Sequence, residues 1–586
     1  MRVASPPGKT LLIYDGDCNF CRRWIARWQQ DTGVRVDYLP SADVSFPEIP
    51  PETYAQSVVL VEPDGQVYTG AEAVFRVQER LWLYQKLPGC APASEWAYQF
   101  VARHRSVFSA LTRWLWGAHI EPPTYGRVRK LFLRLLGVSY FIAFVSFWTQ
   151  LDGLIGSNGI LPAGSFMRAV TEQARFWQLP TFGWLNASDG FLHALCGAGT
   201  LLSLALIAGV VPLPALVLLW VLYLSLVSLS GTFLQYQWDA LLLETGFLSI
   251  FFALGQARPW LLRLLLFKLM FCSGVVKLAS GDATWHNLTA LAVHYETQPL
   301  PTWIGWWAHQ LPAGMQRFSC AVMFGIELGL PFLIFAPRRL RFVAAGGFTL
   351  LMILISLTGN YTFFNLLTVA LCVTLLDDAV LGRSLRFGIG APARSWSKWL
   401  TAPVAAIWLF FSALLICSSV FRRFVWPQPV RTAYSWVAPF HSLHSYGLFA
   451  VMTTQRFELE IEGSDDGLAW RAYEFKFKPG DPQRRPGFVA PHQPRLDWQM
   501  WFEALRVQPP NYSPSPWFQN LCVRLLQGEP RVLALLKSNP FPDAPPRYLR
   551  ITIYDYRFTD RATRRAEGTW WRRERVGSLP PFSLRS

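Results

Sequence analysis

Between Gln235 and Thr297, long apolar runs carry ionisable side chains that hydrocarbon does not accept singly, and this stretch limits the possible folds most. Asp239 and Glu244 flank Leu241-Leu242-Leu243, while Lys268 and Lys277 lie within one apolar run followed by a Trp/His/Glu-bearing segment. An ionised group at the centre of a membrane helix costs at least about 2.5 kcal/mol, so such groups face a protein interior or a cavity and find partners. The reading is a multi-pass helical core with an intramembrane polar seam of Asp239, Glu244, Lys268 and Lys277. For the lysines, a second reading is that each snorkels to the headgroups from its end of the span. Nine residues apart, they lie on roughly opposite faces of one helix, which argues against a joint site. Asp239, Glu244 and Glu327 have side chains too short for that escape.

The chain has 586 residues, 52% of them hydrophobic, which is too long for one ordinary domain and too apolar for a soluble one. Runs approaching the roughly 17 to 25 residues of a span occur near Leu131–Thr149, Phe191–Val211, Leu213–Leu229, Leu241–Leu254, Leu261–Leu278, Phe318–Ala336, Phe342–Leu357, Phe363–Leu376 and Ala402–Phe421. About nine spans are expected. The net charge of +16 would suit nucleic acid, but Lys and Arg gather beside apolar runs, as at Arg127-Val128-Arg129-Lys130 and Arg338-Arg339-Leu340-Arg341. The positive-inside rule accounts for that placement, and no nucleic-acid partner is expected. With Arg127 to Lys130 cytoplasmic, alternation through nine spans puts Pro337 to Arg341 and Arg383 to Lys398 on the same side and everything after Val425 on the other. Arg422 and Arg423 oppose this assignment. Two outer connections, Asp152 to Gly190 and Ser280 to Gln316, are dense in Trp and fit interfacial helices.

Met1 to Thr10 lacks the pattern of a signal peptide, so a folded domain is expected before the first span. Thr10 to Tyr14 is strand-like and ends in Asp15-Gly16-Asp17, after which Cys18-Asn19-Phe20-Cys21 opens a helical pattern with Trp24, Ile25 and Trp28. A helix N-terminus stabilises a thiolate, which makes Cys18 the expected nucleophile and Cys21 its resolving partner. Strands near Val34–Leu39, Ser57–Val61 and Gln66–Thr69 and helices over Ala71–Trp82 and Glu95–Leu115 complete a small thioredoxin-like α/β sheet. The octapeptide from Tyr14 to Cys21, with Trp24 and Gly70-Ala71-Glu72-Ala73, resembles the DCC family of thiol-disulfide oxidoreductases over roughly the first 115 residues. That resemblance implies catalytic Cys18 and Cys21, supported by Asp15, Asp17 and Trp24. Thioredoxins place a cis-proline before the strand facing the thiols, whereas Tyr54-Ala55-Gln56-Ser57 stands before Val58 here. A fold remnant or a metal-holding pair is the alternative, although a lone CxxC supplies only two of the four ligands of a structural zinc site. No metal and no cofactor is expected.

After Trp426-Pro427 the composition turns polar and the period turns to two. Phe457 to Ile461 and Trp470 to Lys478 flank the turn-rich Gly463 to Gly467, the pattern of a hairpin. With a further strand over Arg547–Tyr554 and helices near Trp498–Leu505 and Trp517–Leu526, this part is α+β. The expected parts are therefore 1–120, 127–425 and 426–586. Arg495, Asp497 and His492 crowd one aromatic stretch, but no GxSxG elbow or HExxH pair accompanies them. An Arg495/Asp497 pair holding an aromatic turn around Trp498 is the structural reading.

Gln235 to Asp239, Leu242 to Phe247, Phe267 to Leu278, Thr284-Trp285, Tyr295 to Pro301, Gly359 to Asn365 and Pro494 to Phe502 together resemble the lipase maturation factor family, from about Leu131 to the C-terminus. The resemblance implies a membrane protein needed for folding and assembly of secreted lipases, in the endoplasmic reticulum of animals with a lumenal C-terminal domain. The fused CxxC domain points to a bacterial chain, with the inner membrane and a periplasmic C-terminal domain as counterparts. Expected partners are the lipid bilayer, a secreted client such as a lipase, and a redox partner. The alternative is an integral-membrane enzyme, architecturally like vitamin K-dependent carboxylases, in which Lys268, Lys277, His286 and His294 activate a lipid-soluble substrate. A pocket joining the lysine-bearing span to the Trp285 to Glu296 loop is the mark of that reading. A transporter is disfavoured, because no internal repeat pairs the two halves.

Overall fold

The computed structural model describes the chain except residues 45, 118–119, 171–175, 255–258, 383–397, 422, 509–511 and 585–586. The basic connection expected from Arg383 to Lys398 falls almost wholly outside the described residues, as does Arg422. The rest divides into two compact units. One is Met1–Thr124 with Phe335–Phe342 and Asp378–Gly382; the other is Tyr125–Ile334, Val343–Asp377 and Arg383–Ser586.

The first unit is a four-stranded sheet of β1 (Leu11–Tyr14), β2 (Asp37–Pro40), β3 (Val59–Val61) and β4 (Val67–Thr69), in the order β2-β1-β3-β4. β1 and β2 are parallel, joined through helix α1 (Asn19–Thr32), while β3 runs antiparallel to β1 and to β4. Leu12, Ile13, Val59, Leu60 and Val61 are buried. Both faces of the central strands are covered, hence their continuous apolar runs. The strand expected from Val34 starts later: Gly33 takes φ +56 to end α1, and Gly33–Arg35 form a 3-10 turn that leaves Val34 exposed. The helix expected over Glu95–Leu115 is two helices, Cys90–Arg103 and Arg105–Trp116, broken at His104.

Among the described residues, five helices are long and apolar enough to cross a membrane: Gly126–Trp148, Asp189–Ala208, Pro212–Leu234, Arg338–Thr358 and Thr401–Val420. Length and composition thus support five spans where nine were expected. The other four runs fail for separate reasons. Gln237–Ala253 has 17 residues and buries Asp239 and Glu244. Trp260–Ala279 is interrupted by Arg263, Lys268 and Lys277, all buried. The Phe318–Ala336 run divides into Ala313–Phe324, a π-helical turn over Gly325–Gly329, and Leu330–Leu333. Pro331 has no N–H and its ring clashes with the carbonyl four residues back, so α geometry cannot continue through it. Phe364–Val373 has only 10 residues.

The C-terminal part of the second unit carries a four-stranded sheet in the order Trp571–Ser578, Tyr548–Phe558, β5 (Arg456–Ser464), β6 (Arg471–Ala472). The expected local hairpin is minor: β6 meets β5 only at Glu462↔Ala472 and Gly463↔Arg471. The main partner of β5 is Tyr548–Phe558, antiparallel from Arg456↔Tyr556 to Ser464↔Tyr548. Glu474–Phe475 leaves the sheet to pair with Leu536–Ser538.

Candidate functional site

The thiols sit where β1 turns into α1. Cys18 is the N-cap residue, and its Sγ accepts the Cys21 N–H at 3.3 Å, in the place a serine or aspartate oxygen usually takes. Asp15 holds the turn: its Oδ1 accepts the N–H groups of Asp17 (3.1 Å) and Cys18 (3.2 Å), and its Oδ2 pairs with Arg105 at 2.9 Å. Arg105 then donates to the carbonyls of Ala55 (2.9 Å) and Gln56 (3.0 Å), the segment that stands where thioredoxins carry their proline. One arginine therefore ties the thiol turn to the strand entry facing it. Asp17 itself is exposed.

Trp24 packs against Phe20, Trp28 and Trp116 with ring centroids 6.3, 6.5 and 5.9 Å away. It walls an apolar cavity of about 340 Å³ that reaches Cys21, Tyr98 and Arg105. Burial, followed by the hydrogen bond and charge of Cys18, pushes the Cys21 thiol up to about 12. Cys21 is thereby kept as a neutral thiol. Among the described residues, no three His, Cys, Asp or Glu side chains gather to hold a metal ion.

In the second unit Asp239, Glu244, Lys268, Lys277 and Glu327 are each partnered and buried. Asp239 and Glu244, five residues apart on Gln237–Ala253, project about 140° apart and enter separate clusters. Asp239 receives a bidentate guanidinium from Arg495, 256 positions later in sequence, at 2.7 and 2.9 Å, and the Tyr223 hydroxyl at 2.5 Å. Arg495 also donates to the Phe233 carbonyl at 2.8 Å, and both charged side chains are at most 1% exposed. Glu244 forms an ion pair with Lys268 and accepts from Trp408 Nε1 (3.0 Å) and the Tyr446 hydroxyl (2.5 Å). The ammonium lies 5.1 and 5.4 Å from the Trp408 and Tyr446 ring centroids. Lys277 pairs with both oxygens of Glu327, at 2.8 and 2.7 Å, on the π-helical turn. Neither lysine snorkels; each is buried against its own carboxylate.

The aromatic stretch around Trp498 is a docking strip. Gln493, Arg495 and Gln499 bond to Ser146, Gln150, Thr232 and Trp238 of the apolar helices and their ends. Trp498 stands edge-on to Trp238 at 4.7 Å, and Trp238 stacks on Tyr236 at 4.7 Å. Arg495 and Asp497 do not pair with each other as the sequence suggested. Their side chains leave one helix in different directions, and Asp497 accepts the N–H groups of Phe477 (2.8 Å) and Lys478 (2.9 Å). Burial raises its carboxyl above the usual range despite those two donors.

Two further locks went unread in the sequence. Arg456, fully buried, donates to the carbonyls of Glu296, Gln298 and Pro299 and pairs with Glu458, which also holds Lys478. Asn360 donates to the Leu300 and Gly487 carbonyls and accepts the N–H groups of Val489 and Ala490. For the first, the sequence alternation of Phe457, Leu459 and Ile461 with Arg456, Glu458 and Glu460 reads as a strand with its charged face in solvent, and only the structure shows Arg456 and Glu458 buried.

Family models match in three places: the lipase maturation factor transmembrane domain at residues 127–383, the lipase maturation factor C-terminal domain at 442–581, and a DCC1-like thiol-disulfide oxidoreductase at 12–110. Lipase maturation factor 2 of Gallus gallus is 36% identical over 79% of this chain and 82% of its own length. The chain belongs to the lipase maturation factor family. Lipase maturation factor 2 of Homo sapiens (36% identical; 77% of this chain, 82% of its own) and lipase maturation factor 1 of Bos taurus (33%; 80% and 91%) are similar in extent. No solved structure matches the chain.

Several segments that carry the resemblance to lipase maturation factors are joined across the chain, Asp239 to Arg495, Glu244 to Lys268, Thr297 to Trp501 and Asn360 to Leu300. Of the residues weighed for a membrane enzyme, Lys277 and His294 line one cavity that joins the lysine-bearing helix to the Trp285–Glu296 segment, the mark expected of that reading, whereas Lys268 belongs to the Glu244 cluster and His286 is exposed. Both lysines are held by carboxylates, Lys268 by Glu244 and Lys277 by Glu327.

Proposed function

We propose that this chain is a membrane-embedded maturation factor that assists folding or assembly of a secreted client of the lipase class. The reading rests on one observation: the chain spans four fifths or more of relatives named lipase maturation factors at 33 to 36% identity. Its working parts are a thiol domain over 1–120, a helical membrane region over 127–425 and a client-facing domain over 426–586. The buried Arg495–Asp239 pair, the Arg456 lock and the Asn360 lock support a client-facing domain anchored on the helices. Exposed apolar side chains on that domain, among them Leu468, Phe488, Phe502 and Leu505, offer contact to an unfolded chain. The N-terminus is cytoplasmic and the C-terminal domain is periplasmic in a bacterial inner membrane, following the basic residues at Arg127 to Lys130.

In that arrangement Cys18 and Cys21 serve a separate redox partner rather than the client directly. Cys18 attacks the partner's disulfide, the partner's second sulfur leaves as a thiolate, and Cys21 then releases the reduced partner by closing the Cys18–Cys21 disulfide. The test is secretion of an active lipase from cells that carry or lack the chain. Maturation requires a lower active fraction per lipase molecule without it and restoration by the wild type. An unchanged active fraction sinks the reading.

A further inference from the structure

A cavity of about 320 Å³ lies within the second unit, between helices Trp260–Ala279, Ala290–Thr297 and Arg338–Thr358. Its walls include Leu269, Met270, Leu291, Met323 and Leu351. That is about twice the roughly 150 Å³ that holds a benzene ring in an apolar protein interior.

The polar groups on its lining decide what it can take. Lys277 uses its three donors on the two Glu327 oxygens and the Ser273 carbonyl (3.2 Å), so it has none for a ligand. Gln298 Nε2 donates to the carbonyls of Tyr295 (3.2 Å) and Thr358 (2.8 Å), which fixes its Oε1 as the atom facing Tyr361. That oxygen can only accept, so the single hydroxyl proton of Tyr361 goes to it, at 3.1 Å. The Tyr361 oxygen is then the acceptor for His294 Nε2 at 3.3 Å, which places the imidazole proton on Nε2.

Burial, and then the charge of Lys277, pull His294 down to about 4, so the ring carries one proton only. Nδ1 is left as a bare lone pair, and among the described residues no group donates to it. The ring keeps part of its surface, and that surface lines the cavity. The other open polar groups there are the Ser319 and Tyr295 hydroxyls, which give or accept equally, and the Glu327 carboxylate, whose acceptor sites beyond the two Lys277 contacts also disfavour an anion.

A carboxylate or phosphate would thus surrender its hydration to neutral hydroxyls while facing an imidazole lone pair, which is unfavourable. A plain hydrocarbon would leave Nδ1 unpaired. An O–H donor on an apolar chain satisfies both walls and lone pair. We propose that this cavity binds an uncharged lipid alcohol, its hydroxyl donating to His294 Nδ1 and its chain lying along Leu269, Leu291, Met323 and Leu351.

The test uses the full-length protein in phosphatidylcholine vesicles and a dodecanol carrying a photoactivatable diazirine in its chain. Illumination should label peptides from Leu269–Lys277 or Ala290–Thr297 saturably. Unlabelled dodecanol should displace the probe, and dodecanoate should do so at least about tenfold more weakly, given the desolvation of its charge. His294→Phe keeps a flat ring without the acceptor and should cut the preference for dodecanol over dodecane about fivefold. Leu351→Trp fills the cavity and should abolish labelling; if that variant does not reach the membrane at wild-type level, Met323→Trp is read in its place. Labelling confined to other peptides, equal competition by dodecanoate, or an alcohol preference that survives His294→Phe overturns the proposal.

Discussion

Replacing Arg495 by methionine removes the cation of the pair that joins the C-terminal helix Arg495–Ala504 to the apolar helix Gln237–Ala253. Lost with it are two charge-assisted hydrogen bonds to Asp239, at 2.7 and 2.9 Å, and one to the Phe233 carbonyl at 2.8 Å. The Asp239 carboxylate stays buried, keeping the Tyr223 hydroxyl at 2.5 Å and a 3.4 Å contact with the Tyr236 N–H. Removing one partner of a buried pair costs about 3–5 kcal/mol because the other charge is left uncompensated. Because of these remaining donors the lower end applies, about 3 kcal/mol. With both side chains at most 1% exposed, no solvent screening reduces it. If the pair mainly docks the C-terminal part, the population with that part released rises by about a hundredfold.

Proteolysis tracks that open population when reclosing is fast, so the assay is the rate of tryptic release of a fragment beginning near Trp426, in vesicles. Asp239→Leu alone should match the arginine variant. The double variant removes both charges and should cost less than the two singles summed, by about 2 kcal/mol or more. Additive costs, or a release rate in Arg495→Met within a factor of about three of wild type, would refute the claim that this pair clamps the two parts.

Glu244→Gln should lower the yield of folded protein more than Glu460→Gln does, because it leaves Lys268 buried without a counter-charge whereas Glu460 is a partly exposed strand residue; equal yields would remove Glu244 from the core. In the N-terminal domain, alkylation of the Cys18–Cys21 peptide below about pH 9, read in a Cys90→Ser background, should fall on Cys18 and vanish in Cys18→Ser, because Cys21 keeps its proton to about 12. The same elevation means the folded state holds a proton that the unfolded state gives up near the ordinary thiol value of 9.0, so stability of this domain falls as pH rises from there toward 12. A flat denaturation midpoint over that window would contradict it. For sidedness, Cys522 is a poor reporter, being 3% exposed with its thiol pushed up by burial. Leu468→Cys, at an 85% exposed turn position, should react with an impermeant maleimide from outside intact cells; reaction only after permeabilisation would reverse the orientation.

Much of the thiol site was legible because its signals are local. An apolar run, Asp15-Gly16-Asp17 and two cysteines at helical spacing fix a strand, a turn and a helix N-terminus within a dozen or so residues. Arg105 was not legible: it lies 90 residues from Asp15, and nothing in its neighbourhood distinguishes it from the arginines of a solvated helix face. The span count rested on hydropathy alone, and among the described residues helix length and composition support five of the nine expected spans. The run from Phe318 is apolar enough, yet Pro331 and the buried Glu327 break it into a π-turn that serves Lys277.

By itself, the sequence determined that the middle of the chain would be helical and apolar, that Asp239, Glu244, Lys268, Lys277 and Glu327 would need partners, and that Cys18 would stand at a helix start. Periodicity and hydropathy act over a few residues, and those residues carry the whole signal. Which partner each charge takes was decided by tertiary structure alone. Asp239 takes Arg495 rather than a neighbour on its own helix, Arg495 ignores Asp497 two positions away, and Glu244 collects Lys268, Trp408 and Tyr446 from three separate segments. A buried charge states its cost in the sequence, but the geometry that meets that cost exists only once helices distant in the chain have packed.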